Sequence, residues 1–301
     1  MDKHISAEKE KEINDRYKDD LLAPGHTTCA GCGAAIAARQ ILNALGKNVV
    51  ICNATGCLEV TTTKYPLTSW KVPWIHVTFE NAASVACGVR EALDAQGKED
   101  VTVVAIGGDG GMIDIGFRAF SGALERGHNI LVICYDNEAY MNTGIQRSGA
   151  TPWRASTSTT PAGKVSKGKE QWKKDVPTIA AAHHIPYVAT ASIGYPQDLE
   201  RKIKKAISIK GPKYIHIQSP CPVGWNYDLK KTIEIAKDAV ESRMWALFEI
   251  ENGKKTLTHT PKGIPVSKYM KAQKRFRHLT DSEIEEYQKR IDDSFKEEFN
   301  V

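Results

Sequence analysis

Four of the seven cysteines in this chain have neighbours and spacings that suit a metal centre. Cys29 and Cys32 form a C-x-x-C pair in a glycine-rich loop, which allows two thiolates to converge on one centre. Cys57 and Cys221 stand alone, and each follows a short β-rich run. Four thiolates complete either a tetrahedral zinc site or a 4Fe–4S cluster, and both interpretations fit this spacing. Zinc ribbons usually use two close pairs, so one pair with two distant single cysteines favours the cluster.

The other three cysteines have the surroundings of core residues. Cys52 and Cys134 lie inside apolar strand-like runs, and Cys87 lies in an alanine-rich helical pattern. Because buried cysteine behaves as a small hydrophobic residue, we predict that these three are not ligands.

A second group of residues suits a metal-bound diphosphate. The run 106–111, IGGDGG, follows an apolar segment and precedes a helical pattern. Glycines such as Gly108 and Gly110 let the backbone approach a phosphate closely, and a helix N-terminus offers free N–H groups. Asp109 would repel a bare phosphate, so its carboxylate predicts a divalent cation between the two. Mg²⁺ prefers hard oxygen ligands and often bridges a carboxylate to phosphate oxygens.

A second oxygen ligand is expected from the end of a neighbouring strand. Asn137 follows the apolar run NILVICYD and stands in the segment 136–144, DNEAYMNTG. One helix and one strand separate it from Asp109, so both residues are expected at the carboxyl edge of adjacent parallel strands, where open α/β sheets bind ligands. A GDG turn followed at this distance by Asn matches the diphosphate motif of the thiamine-diphosphate fold. The alternative is a pair of ordinary strand-to-helix turns.

The elements that position these residues follow from the apolar patterning. Strands alternate with helices along the chain, which predicts an α/β fold with a parallel sheet covered by helices on both faces. The predicted strands cover 48–53, 74–79, 101–106, 130–135, 187–190 and 214–218. The predicted helices cover 34–45, 82–95, 112–126, 178–183 and 196–207.

Two segments depart from this alternation. Residues 145–174 are rich in Ser, Thr, Gly, Pro and Lys and lack apolar periodicity. Because they directly follow the candidate site, we predict an active-site loop, with a plain surface excursion as the alternative. The sheet pattern is predicted to end after Phe248, and Thr280 to Glu283 then have capping-box spacing. The helical face that follows comprises Ile284, Tyr287, Ile291 and Phe295. This tail is expected to pack on the domain or on another subunit, or to be a solvated extension.

Composition excludes several classes of protein. The chain has 301 residues, 41% of them hydrophobic and 26% charged, as in a globular protein with a substantial core. It has no apolar run long enough to span a bilayer, and its charged N-terminus does not resemble a signal peptide. A cytoplasmic location is therefore expected, where cysteines serve as thiols or metal ligands rather than disulfides. A net charge of +5 is too small to indicate nucleic-acid binding.

Several motifs in order resemble the β subunits of pyruvate:ferredoxin oxidoreductases, within the 2-oxoacid:ferredoxin oxidoreductase family. They are APGHTTCAGCG, NATGCLEV, WKVPWIHVTFENAAS, GGDGGMIDIG and YDNEAYMNTGIQRS. The resemblance extends from about Ala23 to Asn252 and implies the diphosphate-binding domain of the thiamine-diphosphate-binding fold, with a proximal 4Fe–4S cluster. The chain would then divide into a polar arm over 1–22, this domain over 23–252 and a helical tail over 253–301.

The resemblance also implies roles for single residues. The cluster ligands it matches are Cys29, Cys32, Cys57 and Cys221. Asp109 and Asn137 match side-chain ligands of Mg²⁺, with the backbone carbonyl of Ala139 as a third. Asn137 stands where some relatives carry Thr, which also offers an oxygen. Asn142 matches a catalytic residue facing the reactive thiazolium and the substrate. The implied cofactor-binding set is Gly56, Cys57, Gly108, Asp109, Gly110, Asn137, Asn142 and Thr143.

The implied activity is the reversible conversion of pyruvate, coenzyme A and oxidised ferredoxin to acetyl-CoA, CO₂ and reduced ferredoxin. Thiamine diphosphate, Mg²⁺ and one 4Fe–4S cluster are the implied cofactors. The carboxylate that activates thiamine diphosphate belongs to an α subunit with the pyrimidine-binding domain, so Glu80 and Glu138 are expected to be structural or interface groups. The chain alone is therefore expected to be inactive. A γ subunit and a ferredoxin-like δ subunit complete the implied complex.

Three alternatives remain beside this interpretation. The same chemistry could act on oxalate, 2-oxoisovalerate or 2-oxoglutarate, because a partner subunit shapes that pocket. A non-enzymatic iron–sulfur carrier or a zinc-stabilised binding domain would explain the cysteines. Either would leave the two strand-end motifs without a purpose.

Overall fold

One sheet of eight strands forms the centre of the protein over residues 20–299, the part of the chain that the computed structural model describes. The strands are β1 Val49–Ala54, β2 Trp74–Val77, β3 Thr102–Gly108, β4 Leu131–Asp136, β5 Tyr187–Ser192, β6 Lys213–Gln218, β7 Phe248–Glu251 and β8 Lys254–Leu257. The helices are α1 Gly33–Leu45, α2 Cys57–Thr62, α3 Ala82–Ala95, α4 Phe117–Glu125, α5 Val176–Ala181, α6 Pro196–Ser208, α7 Pro222–Trp225, α8 Thr232–Glu241, α9 Val266–Lys271 and α10 Asp281–Phe299. A π-helical turn covers Gly110–Ile115. Most of the predicted N-terminal arm, residues 1–19, lies outside the described range.

The chain changes direction across the sheet between β2 and β3. The order is β2-β1-β3-β4-β6-β5-β7-β8, and β1 to β6 run parallel. From β1 the chain moves to β2 on one side, and β3 lies on the other side, which makes β1/β3 the switch point where open α/β sheets form a ligand crevice. Every predicted strand and helix overlaps an observed one, so the predicted α/β fold is confirmed.

The prediction that the sheet ends after Phe248 was wrong. Strand β7 pairs antiparallel with β5, and β8 pairs antiparallel with β7. Asn252 and Gly253 join them, with φ angles of 49° and 82°. Positive φ at both central residues is the geometry that an Asn-Gly turn favours in a two-residue hairpin, so the sequence did contain a hairpin signal. The strands are short and partly exposed, which hides their alternation.

Apolar side chains from the central strands enter two cores, one on each face of the sheet. Along β4, Leu131, Ile133 and Tyr135 pack on the face covered by α1 and α6, whereas Val132 and Cys134 pack on the face covered by α3 and α4. This alternation of nearly fully buried residues is the pattern of a strand in a two-sided parallel sheet. It also decides which site each residue near the end of β4 can reach.

The C-terminal tail packs on the domain instead of extending into solvent. Thr280 caps α10: its hydroxyl accepts from the Glu283 N–H, and the Glu283 carboxylate accepts from the Thr280 N–H at 2.9 Å, as the predicted capping box requires. Ile284, Tyr287 and Phe295 are buried. No helix within residues 20–299 combines the length and apolarity needed to cross a membrane.

Candidate cofactor and thiol sites

Asp109 lies at the carboxyl end of β3 and is fully buried. Its carboxylate accepts hydrogen bonds from the Ser148 hydroxyl at 2.5 Å and from the Asn137 backbone N–H at 3.3 Å. Burial, and then the neighbouring Asp136, raise the pKa of Asp109 well above its ordinary value. No cationic side chain forms an ion pair with Asp109 among the described ion pairs, so a bound cation would be the natural partner for its charge.

Three oxygen atoms converge at this point. The side-chain oxygen of Asn137 faces the Ala139 carbonyl oxygen at 2.9 Å and an Asp109 carboxylate oxygen at 3.0 Å. Reversing the amide would turn both contacts into hydrogen bonds. A cation offers the other solution, since oxygens about 2.1 Å from an octahedral Mg²⁺ lie about 3 Å from one another. The donor set therefore fits Mg²⁺, with the ligands that the sequence predicted.

Asp136, at the end of the next strand, has the opposite environment. It is fully buried and contacts the Lys173 ammonium at 2.6 Å and the His216 Nε2 atom at 2.8 Å. Although burial alone would raise it, Lys173 and His216 lower the pKa of Asp136 to about 2. Two adjacent strand-end carboxylates thus differ in role: Asp136 is neutralised by the protein, whereas Asp109 is available to a cation.

The loop 145–174 contacts both carboxylates. Ser148 donates to Asp109, Thr151 donates to the Glu138 carbonyl at 2.6 Å, and Lys173 contacts Asp136. The prediction that this segment belongs to the active site is thereby supported over a plain surface excursion. Ser148 and Lys173 were not singled out from the sequence, because nothing in a segment without periodicity marks individual side chains.

Every predicted cofactor-binding residue except Asp109 lines a single cavity of about 100 Å³. Gly56 and Cys57 come from the end of β1, Gly108 from β3, and Asn142 and Thr143 from the loop after β4. Asp109 is buried and does not line the cavity. A drug-sized ligand usually needs at least about 300 Å³, so this cavity is too small to enclose a whole ligand of that size.

The four candidate cysteines come together on the α1 side of the sheet. Cys32 directly precedes α1, Cys57 begins α2, and Cys221 directly precedes α7 and accepts a hydrogen bond from the Gly224 N–H at 3.3 Å. The Cys57 thiol is within electrostatic range of Cys221, Cys32 and Cys29. The structure therefore brings together a set of thiols from three separate parts of the chain.

Close backbone packing holds the C-x-x-C loop against the Cys221 segment. The Gly33 N–H donates to the Pro220 carbonyl at 3.1 Å, and a Cβ at Gly33 would lie 2.5 Å from that oxygen. Gly31 has φ of +71°, and its carbonyl accepts from the Thr232 hydroxyl at 2.8 Å. Neither position has room for a larger residue, which explains the glycines that flank Cys32.

Burial disfavours the thiolate form of Cys32, Cys57 and Cys221. Burial raises the pKa of Cys57 to about 12 and that of Cys221 to about 11, and it also raises the pKa of Cys32.

All seven cysteines are free of disulfides. Within residues 20–299, no three or more His, Cys, Asp or Glu side chains surround a single ion position. Four thiols fit a 4Fe–4S cluster, in which each thiolate binds a different iron, and they fit a tetrahedral zinc site equally.

Two residues that no sequence pattern indicated lie between the thiols and the Asn137 segment. Trp225, in the helix after Cys221, donates from its indole N–H to the Asn137 carbonyl at 2.8 Å. The Arg275 guanidinium lies 3.8 Å from the Trp225 ring and contacts the buried Glu138 carboxylate at 2.6 Å. Glu138 also contacts Lys173, so its role here is structural, as expected.

Comparison with known proteins agrees with this geometry. Residues 54–217 match the thiamine pyrophosphate enzyme C-terminal TPP-binding domain. The chain is 58% identical over 287 residues to the pyruvate synthase subunit PorB of Methanocaldococcus jannaschii, with 93% of this chain and 96% of that protein covered. The chain belongs to the pyruvate synthase β-subunit family. The predicted family and enzyme class are thus confirmed. The protein is a subunit of a thiamine-diphosphate-dependent 2-oxoacid:ferredoxin oxidoreductase.

Other relatives, some of them named for a different 2-oxo acid, are similar to this chain over most of their length. The chain is 49% identical over 289 residues to PorB of Pyrococcus furiosus, covering 86% of this chain and 87% of that one. It is 45% identical over 281 residues to the ketoisovalerate oxidoreductase subunit VorB of Pyrococcus abyssi, covering 91% of this chain and 90% of that one. A solved 2-oxoglutarate:ferredoxin oxidoreductase from Magnetococcus marinus shares the fold, with a TM-score of 0.58 at 23% identity over 73% of this chain and 79% of that one.

Proposed function

We propose that this chain is the β subunit of a pyruvate:ferredoxin oxidoreductase. The complex would convert pyruvate, coenzyme A and oxidised ferredoxin reversibly to acetyl-CoA, CO₂ and reduced ferredoxin. The observation that carries the proposal is the convergence of the Asp109, Asn137 and Ala139 oxygens beside a set of four thiols. Relatives named pyruvate synthase, at up to 58% identity, support pyruvate as the substrate.

The oxygen ligands would hold Mg²⁺ and, through it, the diphosphate of thiamine diphosphate. Bound thiamine diphosphate supplies a carbon nucleophile and an electron sink for decarboxylation of a 2-oxo acid. Asp109 provides the charge, while Asn137 and Ala139 provide neutral oxygens. Gly108 and Gly110 line the cavity, and Ser148 orients the Asp109 carboxylate.

Asn142 and Thr143 would face the reacting end of the cofactor. Both are exposed at the rim of the cavity, where a substrate could reach the Asn142 amide. Asn142 can orient the substrate carboxylate or carbonyl by donating a hydrogen bond, and Thr143 is held by a 2.6 Å hydrogen bond to Gln146.

The thiols of Cys29, Cys32, Cys57 and Cys221 would hold the proximal 4Fe–4S cluster. Cys57 lines the cofactor cavity as well, so a cluster on this thiol would be adjacent to the cofactor. That adjacency supports electron transfer from the reaction centre to the cluster and then to ferredoxin. Cys29 is exposed, which offers a route outward to an electron-transfer partner.

Part of the active site would come from an α subunit. The cavity would enclose only one end of a cofactor, and Glu138 is committed to Arg275 and Lys173. The carboxylate that activates the cofactor would therefore belong to the α subunit, so the isolated chain would be inactive. A γ subunit and a ferredoxin-like δ subunit would complete a cytoplasmic complex.

A 2-oxo acid other than pyruvate is the second candidate substrate. The 45% identity to a ketoisovalerate oxidoreductase subunit favours 2-oxoisovalerate within this group, ahead of oxalate and 2-oxoglutarate. The α subunit would shape the pocket and so decide the choice.

The deciding experiment is anaerobic purification of the complex, followed by analysis of iron, sulfide, magnesium and thiamine diphosphate. Pyruvate-dependent reduction of ferredoxin that requires coenzyme A is the expected result. Cys57→Ser should remove the cluster, whereas Cys87→Ser, outside the thiol set, should retain it. Activity with 2-oxoisovalerate alone would replace the substrate but retain the chemistry. Zinc in place of iron without thiamine diphosphate would refute the proposal.

A further inference from the structure

A tyrosine at the carboxyl end of β4 lies between the two proposed cofactor sites. Tyr135 is 1% exposed and belongs to the core on the α1 side of the sheet, which is also the side of the four thiols. Its neighbours along the strand, Cys134 and Asp136, point to the opposite face. Strand alternation therefore directs the Tyr135 phenol toward the thiols and not toward the Asp136–Lys173 pair.

The hydroxyl group of this tyrosine has no acceptor within residues 20–299. Its oxygen is completely enclosed, and the nearby Leu58 backbone N–H can only donate to it, so the O–H itself has no acceptor. Buried polar hydrogens are almost always paired, so this free O–H points to a partner that the polypeptide itself does not supply. Phe would fill the same space without this unpaired O–H.

The surroundings of the hydroxyl point to the thiol set. A Cβ at Gly56 would lie 3.3 Å from the phenol oxygen, so the hydroxyl faces the backbone directly before Cys57. Among ionisable groups, Cys57 acts most strongly on Tyr135, followed by Cys32. Asp109, the proposed Mg²⁺ ligand, is not among the leading groups that act on it.

We propose that Tyr135 is a positioning residue that donates a hydrogen bond to a sulfur atom of the proximal cluster, at or near the Cys57 thiolate. This inference rests on the proposed function, because it requires a cluster on the four thiols. A donor to sulfur stabilises the reduced, more negative cluster and so raises its reduction potential. Tyr135 would thereby favour the acceptance of electrons from the adjacent cofactor.

The test is Tyr135→Phe in the anaerobically purified complex, which removes one oxygen atom and preserves the ring. Redox titration followed by electron paramagnetic resonance measures the potential, and the proximal signal is the one lost in Cys57→Ser. We expect a shift to more negative potential with iron, sulfide and thiamine-diphosphate contents unchanged. Tyr187→Phe is the matched control, since its hydroxyl is also buried but lies at the start of β5, beside Glu249 and not beside the thiols. That variant should leave the potential unchanged.

Each other outcome is decisive. An unshifted potential in a fully loaded Tyr135→Phe complex overturns the inference but leaves the proposed function intact. Weaker thiamine-diphosphate binding with an unshifted potential also overturns it, since the acceptor would then be the cofactor. A wild-type complex without iron overturns both. If Tyr135→Phe fails to assemble, 3-fluorotyrosine at position 135, a stronger donor, must shift the potential positively, and no shift would refute the inference.

Discussion

The Arg275 guanidinium and the Glu138 carboxylate form a buried ion pair, 2.6 Å apart, between the C-terminal tail and the loop after β4. Glu138 stands between Asn137 and Ala139 and has φ of +67°, a conformation that costs free energy in any residue except glycine. The tail therefore stabilises the strained conformation of the loop that presents the proposed Mg²⁺ ligands.

Arg275→Met should loosen this loop. Breaking a buried ion pair leaves an uncompensated charge, and we expect the free energy of local opening to fall by about 3 kcal/mol, the low end of the usual range because Lys173 remains beside Glu138. Hydrogen exchange of residues 137–141 measures that opening, and weaker retention of thiamine diphosphate should accompany it. Arg277→Met is the control, because Arg277 is exposed. Equal exchange in both variants would contradict the assigned role of Arg275.

Asn137 should be replaceable by Thr but not by Val. The two side chains have nearly the same shape, and only Thr offers an oxygen to Mg²⁺. Asn137→Val should weaken Mg²⁺-dependent binding of thiamine diphosphate at least about tenfold, as expected for the loss of a metal ligand. Calorimetric titration at fixed Mg²⁺ concentration gives the comparison. If both variants bind alike, the Asn137 oxygen is not a ligand and the reversed amide is the correct orientation.

If the four thiols hold the proposed cluster, Gly33→Ala should lower the iron content of the complex. The added Cβ would lie 2.5 Å from the Pro220 carbonyl oxygen and 2.6 Å from the Ser219 carbonyl carbon, so the C-x-x-C loop would have to move away from Cys221. Iron and sulfide analysis of the purified complex measures the effect. Gly88→Ala, at an exposed position of α3 with open space around it, should keep full iron and gain up to about 1 kcal/mol in helix stability. A full complement of iron in Gly33→Ala would show that the loop tolerates the shift.

Helix α10 should fray at its start as the pH falls. The Lys167 ammonium, and then the Thr280 N–H, lower the pKa of Glu283 to about 2, so the carboxylate stabilises the folded cap. A lowered folded pKa means that this contribution is complete above the unfolded value of about 4.3 and is lost as the pH falls toward 2. Hydrogen exchange near Thr280, measured between pH 6 and about 2.5, should show the loss. Glu283→Gln should remove that pH dependence, whereas Glu285→Gln, at an exposed position, should preserve it.

The sequence predicted that Asp109 and Asn137 would lie together because local signals mark both residues. Asp109 and Asn137 each follow an apolar strand, and parallel strands bring their carboxyl ends to one edge regardless of the detail between them. The grouping of the four cysteines was predicted for a similar reason, because the sequence alone identifies thiols as possible metal ligands. The hairpin at Asn252 also had a local signal, the Asn-Gly turn, but its short flanking strands concealed it.

Long-range contacts account for what the sequence did not reveal. Arg275 pairs with Glu138 across 137 residues, and Trp225 bonds to the Asn137 carbonyl across 88 residues. No periodicity or motif connects such positions, because the fold alone brings them together. Tyr135 is predicted as a core strand residue, and the position of its enclosed hydroxyl, beside Gly56 and the thiols, distinguishes it from the other buried tyrosines.

The hydrogen bond from the Thr232 hydroxyl to the Gly31 carbonyl joins residues that are 201 positions apart. The first two thiols, on the Gly31 loop, therefore leave the ribosome long before the last thiol that must meet them. At about 5–20 residues per second this interval lasts about 10–40 s. A zinc finger folds around its ion, whereas the proposed cluster on these four thiols could be inserted only after Cys221 has been synthesised and its segment has packed against the C-x-x-C loop. During that wait the early thiols are open to oxidation, so oxygen during synthesis should cost more loaded protein than oxygen after assembly.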